Sequence, residues 1–214
     1  MARLIRAGVW LRDQEPPARK HRLYSPGATA ALSAVQRLGE VPKHAVLIAV
    51  TASLGPMVAA FDKAWRAAAG GLLVGPGFAD TRARRIHPFT LLKALDNQVP
   101  ACLAAELGLN GPCRHFHDSN GLWPILAANI NSVEPTGTAV LLVATDVRDA
   151  DEAVTRRRYL AESRELPPQE GAVALLMKAD PAADLPPLGK PDVSAFAAAL
   201  DFARGLAPPS PNPC

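Results

Sequence analysis

Apolar residues along the chain form two kinds of segment. Short runs rich in Val, Ile and Leu recur between longer, helix-like stretches. Strands that are covered by helices on both faces have this continuous apolar character, whereas strands with one solvated face alternate. The pattern therefore predicts an α/β fold in which helices pack on both faces of a central sheet.

Five segments are predicted to be strands, and all but the third are apolar. They cover residues 4–11, 45–51, 113–118, 138–145 and 171–178. The third, CRHFHD, carries basic and aromatic side chains instead. The third strand therefore differs in character from the other four.

The helices are predicted from their start and stop signals. Ser25 is a candidate N-cap, Pro26 suits a first helical turn and Gly39 suits a stop. Pro100 should break a longer helix near Gln98, and Gly108 or Gly111 should end it. The predicted core helices cover residues 26–39, 56–71, 88–111, 121–132 and 148–162.

The composition changes abruptly after Lys178, where prolines cluster. Beyond them lies one amphipathic stretch, residues 193–207, and then the segment PPSPNPC. Proline-rich composition is typical of linkers, and chain ends are commonly poorly ordered. We therefore predict one domain over residues 1–180, followed over 181–214 by a proline-rich linker, an amphipathic helix and a frayed tail.

Length and composition limit the possible classes of protein. The chain has 214 residues, of which 49% are hydrophobic and 20% charged, which suits one globular core. It contains no apolar run of about 18 residues, so we expect no membrane association and a cytoplasmic location. Its three cysteines form no CxxC pair and are too few for a disulfide framework.

The net charge of +3 is modest, but two runs of arginine stand out. Arg82, Arg84 and Arg85 form one, and residues 156–158 form the other. Each run is either a solvated face or a contact for an acidic partner. Only 5% of residues are aromatic, and neither run interleaves aromatic with basic groups, so nucleic acid is not an expected partner.

One long segment resembles a known enzyme family. Its order of features is a Pro-Phe helix start, an Asn, a helix of small residues and a Gly-Leu-x-Gly-Pro turn before a strand, here Pro88, Phe89, Asn97, Gly108, Leu109, Gly111 and Pro112. TAVLLVATDV and the Glu-Gly-Ala of residues 170–172 follow in order. Over about residues 1–180 the chain resembles the β-ketoacyl synthases, which implies a thiolase-like half-fold with a mixed, mostly parallel sheet sandwiched by helices.

The resemblance fails where the family's nucleophile belongs. In active members a cysteine at the strand-to-helix turn becomes acylated, because a helix N-terminus stabilises its thiolate. Here that position is Asn120 if counted without a gap, or Asp118 if aligned on Gly121. The family's later histidines and lysine also have no counterpart in this sequence, so we expect a subunit that is not itself an enzyme, with no cofactor and no metal.

A particular branch of the family matches this loss of the nucleophile. The chain is similar to the chain length factors of type II polyketide clusters, including aryl polyene and fatty-acid-like systems. The resemblance implies a heterodimer with an active β-ketoacyl synthase whose acyl tunnel this subunit shapes. Thr90 would point into that tunnel, with Phe89, Leu92 and Lys93 beside it; the dimer strand would be Cys113, Arg114, His115, Phe116 and His117. Whether an acyl carrier protein docks on the arginines at 82–85 stays open.

Three alternative functions are compatible with parts of the sequence. His115 and His117 share a strand face and form half of a metal site. Cys113 or Asp118 with either histidine suggests an acyl-transfer enzyme, although Asp118 should point to the opposite face. A nucleotide- or flavin-binding module would need a glycine-rich phosphate loop, and no GxGxxG or GxxxxGK[ST] motif follows any strand.

Overall fold

The computed structural model of the protein describes residues 2–12, 24–51, 95, 97–118, 122–133, 136–147, 170–179 and 194–205. Within these residues the chain forms five strands and four helices. They are β1 (Ala2–Leu11), α1 (Pro26–Leu38), β2 (Val46–Thr51), α2 (Gln98–Leu107), β3 (Cys113–His117), α3 (Leu122–Asn131), β4 (Ala139–Asp146), β5 (Gly171–Ala179) and α4 (Ala195–Gly205).

The predicted strands are confirmed, each with ends within two residues of those expected. Helices 26–39 and 121–132 are also confirmed. We predicted a break near Gln98, and α2 begins there, so Pro100 lies in its first turn, where an N–H has no intrahelical partner. The predicted helices over 56–71 and 148–162 lie outside the described residues.

The sheet has the order β1-β5-β4-β2-β3. β2 pairs in parallel with β4 on one side and with β3 on the other. β5 pairs antiparallel with β4 and with β1, so β1 to β4 run in one direction and β5 alone opposes them. The sheet is therefore mixed and mostly parallel, as predicted.

Helices cover both faces of this sheet. Side chains of β2 alternate between two buried clusters: Leu47 packs with α1 and α2, whereas Ile48 and Val50 pack with α3 and α4. Both faces of β2 and β4 are buried along their whole length. This burial on both sides explains why their sequences are continuous apolar runs.

α1 packs closely on the sheet because the contact is made of small residues. Ser25 caps the helix as predicted, since its Oγ accepts a hydrogen bond from the N–H of Ala28 at 3.1 Å. Gly8 of β1 faces the backbone of α1, and a Cβ there would collide with the carbonyl oxygen of Ala34. Gly39 ends the helix with a φ of +81°, which is accessible to glycine.

The amphipathic helix predicted over 193–207 is present as α4. Its apolar face packs on the α3 side of the sheet, and Phe196 at its start is completely buried. The proposed boundary between residues 180 and 181 lies outside the described residues and stays a prediction. No helix in the described part of the chain is long and apolar enough to cross a membrane.

Candidate functional site

Buried polar side chains of the described residues gather at one end of the sheet. β1 to β4 end there, and β5 begins there. The residues are Ser25, Thr51, Gln98, Asp118, Thr145, Asp146 and Ser194. In open α/β sheets the functional groups commonly lie outside the carboxyl ends of the strands, so this end and the neighbouring strand β3 are the candidate site.

Asp118 follows β3 directly and is buried, with 7% of its surface exposed. Its carboxylate accepts hydrogen bonds from the N–H of Ala195 at 2.7 Å and from the N–H of Phe196 at 3.4 Å. These are the first amides of α4, which have no acceptor within the helix. The negative charge also lies at the positive end of the helix dipole, so Asp118 holds α4 against the end of β3.

The N-terminus of α4 has a second cap in Ser194. Its Oγ accepts a hydrogen bond from the N–H of Ala197 at 3.1 Å. The backbone N–H of Asp118 donates to the carbonyl of Thr51 at 2.7 Å. Asp118 therefore joins β2, the end of β3 and α4, and its carboxylate is occupied by backbone amides in the place where one alignment puts a nucleophile.

Five residues predicted for the tunnel or the nucleophile position lie outside the described residues: Phe89, Thr90, Leu92, Lys93 and Asn120. The same holds for the arginines at 82–85 and 156–158. Their roles stay predictions.

Cys113, His115 and His117 occupy alternate positions of β3 and thus share one face of it. The rings of His115 and His117 lie with centroids 5.0 Å apart in an edge-to-face arrangement. The Nε2 of His115 is 2.8 Å from the Oγ1 of Thr51. Asp118 is turned toward α4, on the opposite face, so the structure does not bring its carboxylate together with the histidines.

A thiol nucleophile at Cys113 is not supported by its surroundings. Desolvation raises the pKa of the Cys113 thiol above its ordinary value, even though the residue as a whole is exposed. An activated cysteine has a lowered pKa, because the thiolate is the reactive form. Among the residues that the structure describes, no three His, Cys, Asp or Glu side chains are placed to hold a metal ion.

Arg114 and Phe116 lie on the other face of β3. Phe116 packs against the core that α3 and α4 cover. The Nη1 of Arg114 donates to the carbonyl of Asn129 at 3.2 Å, to its Oδ1 at 2.9 Å and to the Oγ of Ser132 at 3.3 Å. These contacts tie the edge of the sheet to the last turn of α3, and no motif in the sequence indicated them.

β3 is the outermost strand of the described sheet on its side. Its residues are exposed or half-buried throughout, whereas β2 and β4 are buried at every position. Such an edge is a template for pairing with another chain unless something covers it.

Gly111 of the Gly-Leu-x-Gly-Pro turn and Gly171 of the Glu-Gly-Ala segment both allow two strands to approach closely. A Cβ at Gly111 would meet the carbonyl oxygens of His44 and Ala45, so only glycine allows β3 to begin beside β2. Pro112 then accepts a hydrogen bond from the N–H of Leu47 at 2.9 Å. A Cβ at Gly171 would likewise collide with the carbonyl oxygen of Trp10 on β1.

The sequence matches no protein-family model and no curated protein, but solved structures share its architecture. One is described as the ishigamide ketosynthase/chain length factor, with a TM-score of 0.54, 16% identity and coverage of 84% of this chain and 50% of that chain. Another is the ketosynthase ApeO in complex with its chain length factor ApeC from Xenorhabdus doucetiae, with a TM-score of 0.51, 14% identity and coverage of 78% and 64%.

The chain has a ketosynthase-like fold. The thiolase-like half-fold that the sequence resemblance implied is therefore confirmed. This chain spans 50% and 64% of the lengths of the two neighbouring chains. At such low identity the likeness shows the fold, and it carries the activity of neither neighbour over to this protein.

Proposed function

We propose that this protein is a catalytically silent ketosynthase-like subunit, a chain length factor, that forms a heterodimer with an active β-ketoacyl synthase. The observation that carries the proposal is the end of β3, where Asp118 caps α4 in a region that holds the nucleophile in active members of the family. The sequence has no cysteine between Arg114 and Trp123. Both structural neighbours are described as combining a ketosynthase with a chain length factor.

The heterodimer in this proposal forms along β3. The strand lies at the edge of the described sheet and is partly exposed, as a pairing strand must be. An antiparallel strand from the ketosynthase would extend the sheet through its backbone groups. The residues from Cys113 to His117 would then become buried between the two subunits.

The subunit's effect on the product in this proposal comes from Thr90, with Phe89, Leu92 and Lys93 beside it. These side chains would narrow or close the end of the partner's acyl tunnel. A tunnel filled by close-packed side chains cannot admit more carbons. The product would be a polyketide, aryl polyene or fatty-acid-like chain.

The decisive experiment is co-expression with the ketosynthase encoded beside this chain, followed by size exclusion and native mass spectrometry. We expect a one-to-one complex. A well-behaved monomer without affinity for the ketosynthase would contradict the proposal. Within the complex, Thr90→Trp should shorten the product, whereas the conservative variant Thr90→Ser should leave its length unchanged.

Two further measurements test acyl transfer by the chain itself and docking of an acyl carrier protein. Incubation with an activated acyl thioester should leave the intact mass of the chain unchanged, whereas acyl transfer by the chain itself would add an acyl group to Cys113.

If an acyl carrier protein docks on this subunit, charge reversal of Arg84 and Arg85 should weaken that binding. Unchanged affinity would remove the carrier protein from the proposal.

A further inference from the structure

The guanidinium of Arg114 is fixed in position at the edge of the sheet. Its three hydrogen bonds all run from Nη1, to the carbonyl and Oδ1 of Asn129 and to the Oγ of Ser132. Asn129 is itself held, because its Nδ2 donates to the carbonyl of Ile125 at 2.9 Å. The Oγ of Ser132 also donates to the carbonyl of Asn129 at 2.8 Å.

The charge of Arg114 is not neutralised by these contacts. Its acceptors are one backbone carbonyl, one amide and one hydroxyl, and all three are neutral. α3, on which the guanidinium rests, contains no Asp or Glu. The last turn of α3 supplies only the partial negative charge of a helix C-terminus, so a full positive charge lies beside β3 without a carboxylate among its partners.

Two of the three nitrogens of the Arg114 guanidinium, Nε and Nη2, still offer donors. Arginine has five N–H groups in a planar fork, and the contacts of Arg114 engage Nη1 alone, which leaves Nε and Nη2. These two nitrogens form an edge that matches the two oxygens of a carboxylate. A side chain that is already ordered loses less entropy when it forms such a pair.

The surface around Arg114 has the composition of a binding surface. Ile125 is 53% exposed, one turn of α3 before Asn129. Ala128 is also exposed, and positions 125, 128, 129 and 132 share one helix face by their spacing. An exposed apolar side chain beside an ordered arginine is typical of the residues that dominate the energy of protein interfaces. We name Arg114, Ile125, Ala128, Asn129 and Ser132 the edge patch.

We propose that the partner subunit places an Asp or Glu carboxylate on the Nε and Nη2 edge of Arg114, and that this ion pair selects the partner over a second copy of this chain. The inference rests on the proposed function, since it concerns the same heterodimer. Antiparallel pairing of two copies of β3 about a two-fold axis would put both Arg114 side chains on one face of the joined sheet. Among the described residues, the edge patch has no carboxylate, and the Asp118 carboxylate on this face is already bonded to the first amides of α4, so pairing of two copies gains no ion pair between these residues.

The test compares Arg114→Gln, Arg114→Lys and Arg114→Glu with wild type in binding to the purified ketosynthase. We expect Arg114→Gln to raise the Kd at least about tenfold, and Arg114→Glu to raise it further, because truncating a buried interfacial charge pair is costly. Arg114→Lys should bind with intermediate affinity because it keeps the charge but loses the fork. Arg3→Glu, on the opposite edge strand β1, is the matched control and should bind as wild type does.

Two readouts exclude a merely structural role for Arg114. The Kd of wild type should rise with salt concentration, and Arg114→Gln should flatten that dependence, whereas loss of a helix contact alone would lower the unfolding temperature and leave the salt dependence unchanged. Arg114→Glu should also be rescued when one carboxylate on the ketosynthase's contacting strand or helix is changed to Arg.

The outcomes distinguish the ion pair from the proposed function. A wild-type heterodimer whose Kd stays within about twofold in all three variants would overturn the ion pair and leave the proposed function standing. The absence of any wild-type heterodimer would overturn both. A stable homodimer of wild type that forms as readily as the heterodimer would overturn partner selection by Arg114.

Discussion

Asp118 shows how one residue can have a role that its sequence position does not reveal. When the sequence is aligned on Gly121, Asp118 falls at the position where active β-ketoacyl synthases carry their cysteine nucleophile. In the structure its carboxylate accepts hydrogen bonds from Ala195 and Phe196, which are 77 and 78 positions away in the chain. A buried carboxylate whose oxygens face backbone amides is well suited to holding a helix and poorly suited to attacking a substrate.

Removal of this cap should destabilise the protein. Asp118→Ala leaves two amides at the buried start of α4 without their acceptor, and we expect a loss of about 2 kcal/mol in the free energy of unfolding. Asp118→Asn should cost less, because its amide oxygen still accepts one bond. Urea unfolding measures both, with the exposed Asp201→Asn on the same helix as a control that should leave stability unchanged. A loss as large in Asp201→Asn would contradict the role of Asp118.

Gly111 allows a second residue-scale prediction. Gly111→Ala would press a Cβ against the carbonyl oxygens of His44 and Ala45, so the start of β3 must move away from β2. We expect a loss of about 1–3 kcal/mol. Gly205→Ala is the matched control because nothing lies within 4 Å of its added Cβ, and it should leave stability unchanged or slightly higher. Equal unfolding midpoints for the two variants would refute the steric argument.

At the scale of elements, β3 and α4 take their roles from the segments that pack beside them. β3 is short and polar for a strand, yet it keeps a full parallel register with β2, from Leu47 opposite Cys113 to Thr51 opposite His117. α4 follows a proline-rich segment and was predicted as an amphipathic helix beyond the main domain. Its buried face is continuous with the core that α3 covers. The role of each element is set by what packs against it.

The packing of α4 gives an element-scale prediction. Phe196 is completely buried in the cluster between α4 and the sheet, so Phe196→Ala should cost about 3–5 kcal/mol through lost burial and a residual cavity. Phe202, on the same helix, is only partly buried, and Phe202→Ala should cost clearly less. Chemical denaturation of both variants tests the difference. A larger loss in Phe202→Ala would mean that α4 is held by its second half.

At the scale of the whole molecule, the sheet places buried polar groups at one end and an exposed strand at one edge. Because β2, β3 and β4 run in parallel, Thr51, Asp118 and Asp146 meet at the same end although they are far apart in the chain. β3 ends among these polar groups, whereas Arg114 and the edge patch lie near the start of the same strand.

A truncation tests whether residues 1–180 are self-sufficient. Deletion of 181–214 removes α4 and uncovers the apolar face formed by α3 and the sheet. We expect this shorter chain to bind a hydrophobic dye such as ANS and to lose cooperative unfolding, because a core face without cover promotes association. The matched control is a chain ending after residue 205, which keeps α4. Cooperative unfolding of the 1–180 chain at the wild-type midpoint would show that α4 is dispensable.

The sequence determined the local features of this protein. Continuous apolar runs located the strands, and Ser25 and Gly39 marked the ends of α1, because burial and capping depend on residues close together in the chain. The glycines at 111 and 171 and their neighbours carried the likeness to ketosynthases, since each permits a close approach of two backbones. These signals also sufficed for the α/β class.

Only the tertiary structure decided the strand order, the attachment of α4 and the contacts of the candidate site. Asp118 meets Ala195, and Arg114 meets Asn129, because the sheet and its covering helices bring distant segments together. No periodicity in a sequence encodes such a pair, since each partner alone is an ordinary polar residue or backbone amide. The physical reason is that strands and helices arise from local preferences, whereas the surroundings of a polar side chain depend on which segments pack beside it.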